Sequence, residues 1–178
     1  MNYFIQSLTY FRIFVAPIIF LLVTMLNSYG LALFLFVLAS ITDYWDGYLA
    51  RKHNLESIIG SILDPIADKI LVTFLILALA IELKSIFIGL LGGFILVREF
   101  WVGALRDINA RNNNDSATKV SLLAKAKTTI QFITFSSFLF GLHTNNALVL
   151  FISNFLLVLA LIITLQTGLS YTIATFRR

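Results

Sequence analysis

The hydrophobic positions of this chain fall into six long blocks divided by short polar breaks. A helix that crosses a bilayer needs about 20 mostly apolar residues. The blocks run from about Ile13 to Leu26, Tyr29 to Asp46, Ser61 to Ile81, Ile86 to Leu105 and Ala124 to Leu142, with a last one from Ala147 to Gln166 that extends toward Phe176. Ahead of the first, Asn2–Arg12 reads as an amphipathic segment lying in the membrane interface. The pattern predicts an all-α polytopic membrane protein, six transmembrane helices in a single domain over residues 1–178.

The breaks differ in character. Asn27-Ser28, Glu82-Leu83-Lys84 and His143-Thr144-Asn145-Asn146 are short turns on one side. Of the 13 lysines and arginines only Lys84 falls there. The excess of Lys and Arg on the other side places it in the cytoplasm. Both termini are then expected on the cytoplasmic face of the plasma (inner) membrane, as an even number of helices requires. The polar stretch Arg106–Lys127 links the fourth and fifth helices on that face. No basic n-region or small-residue cleavage site marks a signal peptide, so the first block is expected to stay in the protein.

Composition sharpens this picture. The chain is 59% hydrophobic and 12% charged, with a mean hydropathy of +0.92; a soluble domain carries about 25% charged residues. A chain this short has no core large enough for so much Leu, Ile and Phe. Its formal charge of +4 is read through topology, not as a nucleic-acid footprint. The absence of cysteine excludes disulfides, thiolate metal sites and a Cys nucleophile.

Against that background the acids stand out. Asp43, Asp46, Gly47 and Ala50 recur at helical spacing, so they share one face. Gly60, Asp64 and Asp68 do the same on the next helix. The connection over Lys52–Ile59 is short, which predicts antiparallel neighbours with four carboxylates converging near the cytoplasmic interface. Like charges so placed repel unless a cation sits among them. All-oxygen ligands favour Mg²⁺, Mn²⁺ or Ca²⁺ over zinc or copper. Gly47 and Gly60 give a ligand room to approach, and Arg51, one turn beyond Gly47, can grip a phosphate. Ionisable groups inside membranes are costly and usually functional. Together these residues describe a diphosphate site.

The run Asp43-x2-Asp46-Gly47-x2-Ala50-Arg51-x8-Gly60-x3-Asp64-x3-Asp68 resembles the complete signature of the CDP-alcohol phosphotransferase family. That resemblance implies a six-helix, usually dimeric membrane enzyme that displaces CMP from a CDP-linked substrate. It implies two divalent ions, Mg²⁺ or Mn²⁺. Asp43, Asp46 and Asp64 would hold one; Asp46, Asp64 and Asp68 would help hold the second. Asp68 would be the general base. Asp43, Gly47, Ala50, Arg51 and Gly60 would bind the CDP-linked lipid, CDP-diacylglycerol.

The signature names the leaving group, not the acceptor. Leu63-Asp64-Pro65-x-Ala67-Asp68-Lys69, Arg98-Glu99, Leu105-Arg106 and Lys125-x-Lys127-Thr128-Thr129 resemble the branch of the family whose acceptor is sn-glycerol 3-phosphate. The first block alone is also similar to the branch that uses phosphatidylglycerol. Arg98, Arg106, Lys125 and Lys127 sit at the cytoplasmic ends of helices four and five, where an acceptor with its own phosphate needs cations. Gln6 stands where that branch usually has Asn, ahead of Leu8-Thr9 and Arg12, and Ala124 where it usually has Gly. A divalent-cation transporter would also place acids on helices, but near mid-membrane on a path open to both faces.

Other residues have plainer readings. His53 and His143 read as solvated. Trp45, Trp101, Tyr48 and Tyr171 read as interfacial anchors. Gly89-x3-Gly93 is a close-packing or dimer face, or a spacing met by chance.

Overall fold

The computed structural model describes the backbone of residues 2–53, 58–111 and 122–176, with side chains described for 7–43, 45, 63–111 and 126–176. These residues form six α-helices: α1 (Asn2–Thr24), α2 (Tyr29–His53), α3 (Ile58–Glu82), α4 (Ile86–Arg111), α5 (Leu122–His143) and α6 (Ala147–Phe176). Each hydrophobic block is one helix, and several run further than the apolar pattern. Helix α2 continues through Arg51 to His53, and α4 continues to Arg111, so part of the expected polar linker is helical.

Asn2–Arg12 is continuous with the rest of α1. Thr9 and Arg12 are fully buried inside the bundle, where an interfacial segment would have turned them to lipid headgroups and water. Their burial follows from what they bond to, described below.

The three short turns use one device. Asn27, Lys84 and Asn145 adopt the left-handed conformation, with φ of 51°, 46° and 50°. At the second and third turns, Ser85 N–H donates to the Ala80 carbonyl and Asn146 N–H to the Gly141 carbonyl, both at 3.0 Å. These are the bonds of a Schellman C-cap. Asn tolerates left-handed φ better than a long side chain does, so Lys84 carries the larger strain. The next residue then caps the following helix: Asn146 Oδ1 accepts from Leu148 and Val149 N–H, and Ser85 Oγ from Ile88 N–H.

Packing closes the helices into a ring in the order α1, α2, α5, α6, α4, α3, and back to α1. The core centres on Val15, Ala16, Ile19, Leu75, Leu79, Phe135, Phe138 and Leu139. Phe36 of α2 stacks on Phe132 of α5, with ring centroids 5.5 Å apart, and Phe20 of α1 meets Phe74 of α3 edge-on at 6.0 Å. Polar pairs join α5 and α6: the Ser137 and Ser153 hydroxyls lie 2.7 Å apart, and Gln131 Nε2 donates to Thr164 Oγ1 at 3.2 Å. Such pairs are a regular means of joining helices in lipid.

The outer surface of the ring is apolar. Phe14, Phe34, Phe87, Phe94, Phe151 and Phe155 are exposed, as large side chains facing lipid would be. Three helices among the described residues, over Ser7–Thr24, Ile86–Arg111 and Ala147–Phe176, are long and apolar enough to cross a membrane. This is a membrane protein. At the Gly89/Gly93 face the close approach falls instead on Gly92, whose absent Cβ is filled by Ile76, while Gly93 faces open space.

Candidate active site

A cavity of about 540 Å³ lies inside the ring, lined by residues of α1 to α5. Its apolar wall includes Phe36, Leu71, Val72, Leu96, Phe132 and Phe135. Two charged clusters stand at its edges, one acidic and one basic.

The acidic cluster is assembled by α1. That helix packs on both α2 and α3 and inserts Thr9 and Arg12 toward the acids of each. Arg12 Nη1 donates to Asp43 Oδ1 of α2 and, at 2.5 Å, to Asp68 Oδ1 of α3. Arg12 Nη2 donates to Asp64 Oδ1 at 3.2 Å, and Thr9 Oγ1, one turn earlier, donates to the same oxygen at 2.6 Å. Three carboxylates from two helices, one on α2 and two a single turn apart on α3, thus meet one guanidinium. Arg12 is 0% exposed, and with Asp43 and Asp68 it lines the cavity. Pro65 sits inside α3 between Asp64 and Asp68 and removes one rung of the helical ladder there.

The expected signature residues divide into two groups. Asp43, Asp64 and Asp68 come together, as their spacing predicts, with α1 as the shared neighbour of α2 and α3. The side chains of Asp46, Gly47, Ala50, Arg51 and Gly60 lie outside the described residues. Among the described residues no three acids or histidines enclose a metal ion by themselves. The donor set nevertheless fits one: three carboxylate oxygens already gathered on a cation, with no nitrogen or sulfur ligand among them, are the chemistry of a hard divalent ion.

The basic cluster forms where α4, α5 and α6 meet. Glu99 Oε1 accepts from Lys127 Nζ of α5 and, at 3.4 Å, from Arg98 Nη1 of α4. Arg98 is buried, and its Nη2 donates to Thr167 Oγ1 of α6 at 2.6 Å. Gly168 makes room for it, since a Cβ there would stand 3.0 Å from Arg98 Cγ. Lys127, Glu99, Thr128, Thr129 and Gln131 line the cavity. Arg98 and Arg106 do not line it. Arg106 instead lies over the Tyr171 ring, 5.3 Å from its centroid, and Nη2 donates to the Tyr171 hydroxyl at 3.2 Å. Tyr171 is therefore buried against α4 and is no interfacial anchor. The Lys125 side chain lies outside the described residues.

Sequence reading missed three participants. Arg12 reads from the sequence as a cytoplasmic cation and, with Thr9, as part of the motif that follows Gln6, with no role at the acids. Glu99 appeared only inside a matching block. The available signal was that Thr9 and Arg12 are three apart, hence on one helical face, in an otherwise apolar helix. Lys69 is a third cation at the cavity wall, after Arg12 and Lys127: its Nζ lies 5.3 Å from the Phe100 ring centroid and fills the space left by Gly103.

Comparison with known proteins shows the family of the chain. Residues 6–166 match the CDP-alcohol phosphatidyltransferase family. A protein of Rickettsia typhi named CDP-diacylglycerol–glycerol-3-phosphate 3-phosphatidyltransferase is 41% identical over 167 residues, covering 92% of each chain. Proteins of the same name from Wigglesworthia glossinidia brevipalpis and Shigella flexneri are 34% and 32% identical. The first covers 74% of each chain; the second covers 92% of this chain and 90% of its own. The chain belongs to the CDP-alcohol phosphatidyltransferase family.

Proposed function

We propose that this protein transfers the phosphatidyl group of CDP-diacylglycerol to sn-glycerol 3-phosphate, yielding phosphatidylglycerophosphate and CMP. The observation that carries the reading is one cavity with Asp43 and Asp68 at one edge, joined to Asp64 through Arg12, and Lys127 with its basic neighbours at the other. The names of the relatives support the same donor and acceptor.

In this reading Asp43, Asp46, Asp64 and Asp68 hold two divalent ions, Mg²⁺ or Mn²⁺. When bound, these ions neutralise the diphosphate and the departing CMP. Gly47, Ala50 and Gly60 admit the cytidine, and Arg51 grips the diphosphate. Asp68 accepts the proton of the acceptor's 1-hydroxyl as its oxygen bonds to the lipid-linked phosphorus and the bond to CMP breaks. Lys127, on the cavity wall, receives the acceptor phosphate with Lys125, while Arg98 and Arg106 add positive potential from behind. The apolar wall keeps the acyl chains next to the bilayer. Six membrane-spanning helices, a cytoplasmic site in the plasma (inner) membrane and a homodimer complete the reading.

The test is CMP release and lipid product from detergent-purified protein given CDP-diacylglycerol and Mg²⁺. Glycerol 3-phosphate, phosphatidylglycerol, serine and inositol are supplied in separate reactions. Turnover with glycerol 3-phosphate alone is expected. Turnover with phosphatidylglycerol instead would keep the acidic site and overturn the role of the basic cluster.

A further inference from the structure

We propose that Arg12 is a positioning residue that takes the metal's place: its guanidinium holds the aspartates assembled when no divalent ion is bound and yields them when one binds. This rests on the metal reading of Asp43, Asp64 and Asp68 given above.

The geometry sets the two cations against each other. One nitrogen, Nη1, lies between Asp43 Oδ1 and Asp68 Oδ1, and Nη2 holds Asp64 Oδ1 at 3.2 Å. An ion bridging α2 and α3 needs these oxygens at about 2.0–2.1 Å for Mg²⁺. The space between them is where the guanidinium now sits. Metal and guanidinium are therefore alternatives at these atoms.

The choice of side chain suits the task. Arginine stays protonated at any physiological pH, so it is a permanent cation. Its planar fork reaches several carboxylates at once, which an ammonium does less well. It comes from α1, the helix packed on both acid-bearing helices, so it reaches the acids of each from one place. Thr9 donates to Asp64 from the same face at 2.6 Å and keeps that bond when the fork leaves. A cluster of aspartates with no cation would splay apart through repulsion. With Arg12 the site is assembled before the metal arrives.

The experiment compares wild type, Arg12→Gln and Arg12→Lys in detergent. Melting temperature is measured in EDTA and in saturating Mn²⁺, and Mn²⁺ binding is followed by loss of the free-ion EPR signal. Arg12→Gln should melt well below wild type in EDTA and recover with Mn²⁺. Its Mn²⁺-dependent rise should exceed that of wild type by about 4 °C or more, with Mn²⁺ bound at least as tightly. Arg12→Lys should fall between, and it carries the comparison if Arg12→Gln yields no folded protein. An equal rise in variant and wild type, or weaker Mn²⁺ binding by Arg12→Gln, would overturn the proposal and leave Arg12 a fixed structural ion pair. No Mn²⁺ binding by wild type would overturn the metal reading itself, and this proposal with it.

Discussion

At the edge of the cavity formed by α1, α2 and α3, one cation, Arg12, serves three carboxylates; at the edge formed by α4 and α5, one carboxylate, Glu99, serves two cations. Both clusters obey the rule that buried charge must be paired. They differ in what they leave over. The first has more acid than its internal cation matches and suits an added metal. The second has more cation than its internal acid matches and suits an added phosphate. A reaction between a metal-bound diphosphate and a phosphate-bearing acceptor needs such a division, because the two anionic substrates would otherwise repel each other.

Changes at the two edges should break the protein in different ways. Asp68→Asn removes the proton acceptor, and CMP release should fall by about 10²–10⁴-fold, with little change in KM for glycerol 3-phosphate in steady-state kinetics. Lys127→Ala should act in the opposite manner. Losing one charge-assisted contact of about 1.5–3 kcal/mol should raise KM for glycerol 3-phosphate by about 10–100-fold, with kcat changed less.

Glu99→Gln tests the internal counter-charge. It leaves Arg98 and Lys127 without their shared acid, so thermal unfolding should show a loss of about 3 kcal/mol. The smallest effect concerns the floor beneath Arg98. A methyl at Gly168 meets Arg98 Cγ at 3.0 Å and Nε at 3.1 Å. Gly168→Ala should therefore raise KM a few-fold, whereas Gly93→Ala, which meets nothing within 4 Å, should leave it unchanged.

What was legible in the sequence follows from the range of each interaction. Helix positions came from the local run of apolar residues, and all six blocks became helices. The convergence of Asp43, Asp64 and Asp68 came from spacing on two helices. The part α1 plays did not, because Arg12 meets Asp43 across 31 residues and Asp68 across 56. Helical periodicity tells which residues share a face, not which helix that face will meet. Tyr171 was misread for the same reason: an aromatic near a helix end looks like an anchor until α4 brings Arg106 onto its ring. The apparent break after Arg12 had another cause. A polar stretch ahead of an apolar one resembles an interfacial segment, and only the buried acids explain why those polar residues belong inside.

The division of labour between the two edges can be tested without turnover, by equilibrium binding of labelled glycerol 3-phosphate to Asp68→Asn and Lys127→Ala proteins. The account predicts that Asp68→Asn binds it as wild type does and that Lys127→Ala loses it. Loss in Asp68→Asn with retention in Lys127→Ala would place the acceptor at the acidic edge and contradict the account.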